Sequence, residues 1–169
     1  FNEMAPLLEA DKDIDGIAPV LVEPIVAINF RTNQFDTGSL MTGVGVSAVK
    51  TFEPLFDLDG NLADLDSLAA DELFIDKDGA EALAAERGDV LGLVLGPGNI
   101  REMKIHAVVD GWYFKRENTS VVLMVPLVYA QNLLGKEGEL SGIIISNRGD
   151  EFQGEKLTSA IIGRYGTLP

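Results

Sequence analysis

The chain has 169 residues, no cysteine, 46% hydrophobic and 24% charged residues, and a formal net charge of −14. Such a length and composition suit one globular domain large enough to bury a core without covalent staples. Without cysteine there are no disulfides, no thiolate-held zinc and no thiol nucleophile; the acidic balance leaves no basic stripe for nucleic acid or for an anionic membrane surface.

In chain order, the first apolar residues, Met4, Leu7 and Leu8, have helical spacing and run into the polar turn "DKDIDG". Residues 17–30 are β-branched and apolar, and Pro19 and Pro24 push this segment toward an edge strand. "RTNQFDTGS" reads as turn material, "LMTGVGVSAV" as a returning strand, and 52–72 as a loop with one helical turn. A short strand at "ELFID" leads to a helix at "DGAEALAAERG". A hairpin follows, in which Gly96-Pro97-Gly98-Asn99 separates two strands. The last third reads β-α-β-α: "SVVLMV", a helix opened by Pro126 and stopped by Gly135, "LSGIIISN", and a final helix carrying Leu157, Ile161 and Ile162 on one face. No stretch approaches the roughly 20 apolar residues of a membrane span, and no signal peptide is visible. Phe1, in place of an initiator Met, reads as the start of a piece cut from a longer protein.

Three short motifs invite chemistry. Asp36-Thr37-Gly38-Ser39 spells the catalytic loop of an aspartic protease, and Ala160-Ile161-Ile162-Gly163-Arg164 resembles the segment that packs behind such a loop. That reaction needs two carboxylates sharing one proton; with one Asp-Thr-Gly the second must come from a homodimer using Asp36 twice. Because "AIIGR" falls in a helical pattern and Asp-Thr-Gly-Ser is ordinary turn chemistry, the turn is the preferred reading. "DKDIDG" opens like a calcium-binding loop with Asp11, Asp13, Asp15 and Gly16, as in a calcium-binding extracellular module. Its twelfth position is Val22 where a bidentate Glu is needed, and Pro19 forbids the exiting helix. A helix-to-strand turn with solvated carboxylates is preferred, and the same holds for "DLDGN" at 57–61. His106, the sole histidine, lies in a predicted strand and cannot build a Ser-His or His-metal cluster alone. No catalytic, cofactor-binding or metal residue is assigned. Trp112-Tyr113-Phe114 cannot all face one core from a pleated strand, so this run is the candidate partner contact. Asn118-Thr119-Ser120 fits a glycosylation sequon.

The order of these segments resembles the extracytoplasmic domain of MacB/FtsX-type ABC transporter permeases. The resemblance runs from about Ile14 to about Gly166 and is carried by Ile14, Ile17 and Pro19 upstream. It continues through Ala80, Ala84, Gly88-Asp89 and Val108-Val109-Asp110-Gly111, and then Ala130-Gln131 and Leu134 after Pro126. The chain departs from the family at Gly45, where an acidic residue is commoner.

The resemblance implies an α+β domain with a discontinuous, Porter-like α/β lobe (about 1–48 plus 118–169) and an inserted β-rich lobe (about 49–117). It implies a domain on the extracytoplasmic face of the membrane, within an integral permease, that binds no cofactor and is not itself an enzyme. ATP hydrolysis would belong to a separate ATPase subunit or domain. The implied partners are that ATPase, a second permease copy, and a periplasmic adaptor or regulated extracytoplasmic protein.

Overall fold

A computed structural model describes residues 5–45, 52, 54–110, 121–149 and 151–166, with the backbone alone for 151–155. The elements are α1 (Ala5–Glu9), β1 (Ile14–Asn29), β2 (Phe35–Val44), β3 (Phe56–Asp57), a 3-10 turn (Leu65–Ser67), β4 (Glu72–Asp76) and α2 (Lys77–Ala82). Then come β5 (Val90–Gly96), β6 (Asn99–Asp110), β7 (Val122–Pro126), α3 (Leu127–Leu134), β8 (Gly142–Asn147) and α4 (Glu151–Tyr165).

Strand pairing organises the molecule. β1 pairs with β2, β2 with β7, β7 with β4, β4 with β6, β6 with β5, and β5 returns to β1. Six strands thus form a closed circuit, to which β8 adds through β1 and β3 through β6. Mixed α/β character with a dominant sheet matches the sequence expectation. The sheet, however, runs through both parts of the expected division: β4 and β5, from segment 49–117, pair with β7 and β1 respectively.

Side-chain alternation explains why the central strands read as unbroken apolar runs. A strand buried on both faces needs apolar residues at every position. On β7, Leu123 and Val125 join one core while Val122 and Met124 join another. β4 does the same, with Leu73 and Ile75 on one side and Phe74 on the other. The first core draws on every ring strand, through Leu21, Met41, Ile75, Leu91, Ile105 and Leu123, and on Ala80, Leu83 and Ala130 from α2, its C-cap and α3. The second core is covered by the 54–68 segment through Leu55, Ala63, Leu65 and Leu68. A third, smaller one joins the two ends of the described chain: Leu8 and Ile14 meet Ile161, flanked by Ile143, Ile145 and Leu157.

Two local expectations need correction. β1 is not an edge strand, since β2 lies on one side and β8 and β5 lie on the other. Its prolines fit because of where their missing N–H groups fall. Val20 and Val22 direct backbone groups to Ser141, so by two-residue alternation Pro24 faces the same side. There it lies between the end of the β8 pairing at Val20 and the start of the β5 pairing at Val26. Pro19 lies one residue beyond the β2 ladder, where its carbonyl accepts from the Gly45 N–H at 3.0 Å.

The second correction concerns Asp36-Thr37-Gly38-Ser39, which is strand and not an inter-element turn. Turn chemistry survives inside it as a bulge. The register jumps from Ile25↔Ser39 to Ala27↔Asp36, and the Asp36 carboxylate accepts from the Gly38 N–H and the Ser39 hydroxyl, both at 2.9 Å.

Candidate functional site

An open cleft of about 500 Å³ lies where the β3 turn, α2 and β6 meet. Its floor is small and apolar: Ala107 and Val108 of β6 and Ala80 of α2. One wall is the turn after β3. There the Asp57 carboxylate accepts from the Asn61 N–H at 2.7 Å and the Asp59 N–H at 3.0 Å, and Gly60 takes a φ of +81°. The Asn61 side chain and backbone hold the Asp57 carboxyl below its ordinary pKa, so this wall stays anionic. A contiguous depression past Phe56, Gly60 and Asp110 lengthens the cleft into a groove.

The opposite wall, residues 84–87, is fixed from outside. Ala84 has a φ of +45°, which is unfavourable for a side chain with a Cβ. The Arg31 Nη2 donates to its carbonyl at 3.0 Å, while Thr32 Oγ1 donates to the Leu83 carbonyl at 2.8 Å. Asp89 ties this wall to β1: Arg31 donates to it through Nε at 2.6 Å and Nη2 at 2.9 Å. Asn29 Nδ2 and the Glu86 N–H donate to it as well, at 3.1 and 3.0 Å. The Arg31 guanidinium is the main reason that the Asp89 carboxyl is lowered to about 2.

Charge and exposed apolar surface coincide here. Phe56, Leu58 and Leu62 are 44%, 55% and 62% exposed, three large apolar side chains within seven residues of sequence. Sequence reasoning saw 52–72 as a loop and singled out none of them. Their signal was available: Phe56 and Leu62 flank "DLDGN" and Leu58 lies within it, where a solvated turn has no use for them.

The motifs marked in the sequence are dispersed. Trp112, Tyr113 and Phe114, the expected partner contact, lie outside the described residues, as does the sequon. Ala160–Arg164 lies in α4, whereas Asp36 is in the β2 bulge, so an aspartic-protease arrangement is not favoured. The acidic turn is solvated only in part: Asp15 is exposed as expected, whereas Asp11 and Asp13 are engaged. Asp11, with its side chain only 8% exposed, accepts from the Asp13 N–H at 2.9 Å and from the Tyr165 hydroxyl at 2.8 Å, and pairs with Arg164 at 2.9 Å. Asp13 takes the same Arg164 Nη2 at 3.0 Å. These carboxylates pin the end of α4 to the start of β1, and β1 begins at Ile14 where a calcium loop would continue. Among the described residues no His, Asp or Glu cluster is arranged to hold a metal ion. His106 Nδ1 lies 2.8 Å from Glu72 Oε2, with its ring edge-on to Phe74 at 5.6 Å. It sits at the bulge where the β4–β6 register shifts, its side chain tied to Glu72 of β4.

Asp36→Asn tests the bulge reading. Asn retains the Oδ1 acceptor for Gly38 and Ser39, so stability should change by no more than about 0.5 kcal/mol. Thermal melts of the two proteins check this; a loss several times larger would mean that the charge itself is needed.

The geometry defines a class: a mixed-sheet domain bearing an open groove edged by carboxylates, with no assembled nucleophile, base or metal centre among the described residues. Solved structures place that fold. The chain superposes on the periplasmic region of MacB from Actinobacillus actinomycetemcomitans with a TM-score of 0.59 and 20% identity, covering 98% of this chain and 74% of that one. It also superposes on the extracellular domain of the ABC-type transporter YknZ of Gram-positive bacteria. There the TM-score is 0.60 at 15% identity, with 97% of this chain and 83% of that one covered. No protein-family model and no curated protein matches the sequence. The fold is that of the extracytoplasmic domains of ABC transporter permeases. Among the described residues no helix is long and apolar enough to cross a membrane.

Proposed function

We propose that the chain is the extracytoplasmic domain of an ABC-type permease. In this reading it contacts a substrate, adaptor or regulated partner and couples that contact to nucleotide-driven motion across the membrane. The observation that carries the reading is the agreement of fold along nearly the whole chain with two such domains. The domain performs no chemistry of its own; ATP hydrolysis belongs to a separate subunit or domain, and a second permease copy stands beside it. Two features suit a relay. The third core and the Asp11–Arg164 contact join the first and last described helices, so displacement of one is felt by the other. The closed strand circuit gives the remainder a stiff body.

The test uses the absence of cysteine in this chain. Glu102→Cys, on the exposed face of β6, is introduced into the full-length protein after any cysteines outside this segment have been replaced. A membrane-impermeant maleimide should label it in intact cells, or in spheroplasts where an outer membrane is present. Labelling only after lysis would overturn the reading.

A further inference from the structure

We propose that the groove between the β3 turn and α2 binds a short segment of a partner protein in which apolar side chains alternate with lysine or arginine. This goes beyond the permease reading, resting on it only for the expectation that the domain meets partners.

Three observations select that occupant. The first is the apolar content. An exposed Leu58 beside a floor of Ala80, Ala107 and Val108, continued by an exposed Phe56 in the second depression and by Leu62 bridged to it, gives a surface whose desolvation favours binding. The second is shape. Two depressions share Asp57, Leu58 and Lys77 and run on into each other, which suits an extended ligand more than a compact one. The third is charge. Asp57, Asp59 and Glu81 edge the first depression and Asp110 the second, against Lys77 and Arg87. Glu86 also lines it but is paired with Arg31 at 3.1 Å, so it is left out of the balance. The remaining excess is anionic, and the whole chain carries −14, so the long-range field and the local rim attract the same sign of partner. A nucleic acid or acidic peptide meets repulsion here, and a purely apolar ligand leaves the anionic excess unneutralised.

In such a segment the apolar side chains rest on Leu58 and the alanine floor while basic side chains reach the Asp57–Asp59 turn and Asp110. Asp57 is suited to this role because its own backbone and side-chain contacts hold it ionised. Central apolar contacts should supply most of the affinity, and the rim charges the association rate and its salt dependence.

The experiment follows backbone amide chemical shifts of the domain while synthetic peptides are added. The probes are a peptide of alternating leucine and lysine, a leucine–glutamate counterpart and a serine–lysine counterpart. The expected result is saturable binding of the leucine–lysine peptide, with shifts concentrated at Leu58, Ala84–Arg87 and Val108. The serine–lysine peptide should bind about tenfold more weakly, and the double variant Leu58→Ser, Leu62→Ser should lose a similar factor. Both leucines are exposed, so a thermal melt should show that this variant folds. Val128→Ser, an exposed apolar position on α3 outside the groove lining, should leave affinity unchanged.

Several outcomes overturn the proposal. Equal binding of the serine–lysine peptide would reduce it to general attraction of cations by an acidic protein. Equal binding of the leucine–glutamate peptide, insensitivity to the leucine variant, shifts centred elsewhere or no binding would each do the same. Peptide binding and maleimide labelling are separate readouts, so failure of one leaves the other standing.

Discussion

Asp89→Ala should lower the unfolding free energy by about 3–5 kcal/mol, because removing one partner of a buried ion pair leaves the other donors uncompensated. Four donors converge on this carboxylate: two from Arg31, one from Asn29 Nδ2 and one from the Glu86 N–H. Its side chain is 8% exposed, whereas that of Arg31 is 50% exposed, so the guanidinium regains water and the loss should fall at the lower end. Asn29 is fully buried, but its Nδ2 keeps the Leu83 and Ala84 carbonyls at 3.3 and 3.5 Å, so it too loses only part of its bonding. Asp89→Asn should lie between wild type and Ala. Oδ2 receives three of the four donors, so whichever way the amide turns, an NH₂ group faces an N–H. Denaturant midpoints of the three proteins check the order, and a loss below about 1 kcal/mol for Ala would show that the network is dispensable.

The same group sets a pH dependence. The Asp89 carboxyl is lowered from 3.8 to about 2, so the folded state binds its proton less tightly than the unfolded one. Its contribution is therefore complete above about pH 4 and is lost as pH falls through about 2. It amounts to on the order of 2 kcal/mol. Wild type should lose this increment on acidification and Asp89→Asn should not, so their stabilities should converge near pH 2.

What could be read from the residues was local. Leu73-Phe74-Ile75 and Val122-Leu123-Met124-Val125 announce buried strands because both faces of each are apolar. Pro97-Gly98 closes the β5–β6 hairpin, with Gly98 at a φ of +71°. Pro126 and Gly135 bound α3 as expected, and Gly135 takes the left-handed conformation at its C-cap. What could not be read was long-range pairing. Asp11 looks solvated until Arg164 and Tyr165 arrive from the other end of the chain, and nothing near Asp11 marks them as partners. Pro24 argues for an edge until the gap between β8 and β5 is known. Gly88-Asp89 was visible as a family pattern, but its work depends on Arg31, 58 residues upstream. The groove was missed for a related reason. Its wall, floor and apolar rim come from three separate segments, none of which carries a motif.

Gly43→Val should be the most damaging substitution of a glycine in the sheet. Gly43 lies in β2 between Leu21 of β1 and Val125 of β7, and α3 crosses directly over it. A Cβ at this position would collide with the Ala130 Cβ and come within 3.2 Å of the Leu127 Cα. The second contact is with helix backbone, which no rotamer change relieves. Either β2 leaves its register with β1 and β7, or α3 lifts from the sheet. Lifting α3 exposes Ala130, now fully buried, and loosens Leu127, Tyr129, Leu133 and Leu134, which pack against the first core. Overpacking of this kind costs about 1–3 kcal/mol where side chains can yield, so a backbone contact should reach at least the upper end. Gly142→Ala is the matched control, being a strand glycine in β8 with open space around a built Cβ. Removing unfolded-state freedom there should raise stability slightly, by about 0.5 kcal/mol. Denaturation midpoints that fall for Gly43→Val and hold or rise for Gly142→Ala would locate the constraint in the β2–α3 crossing. Equal effects would mean that only the strand propensity of glycine is being measured.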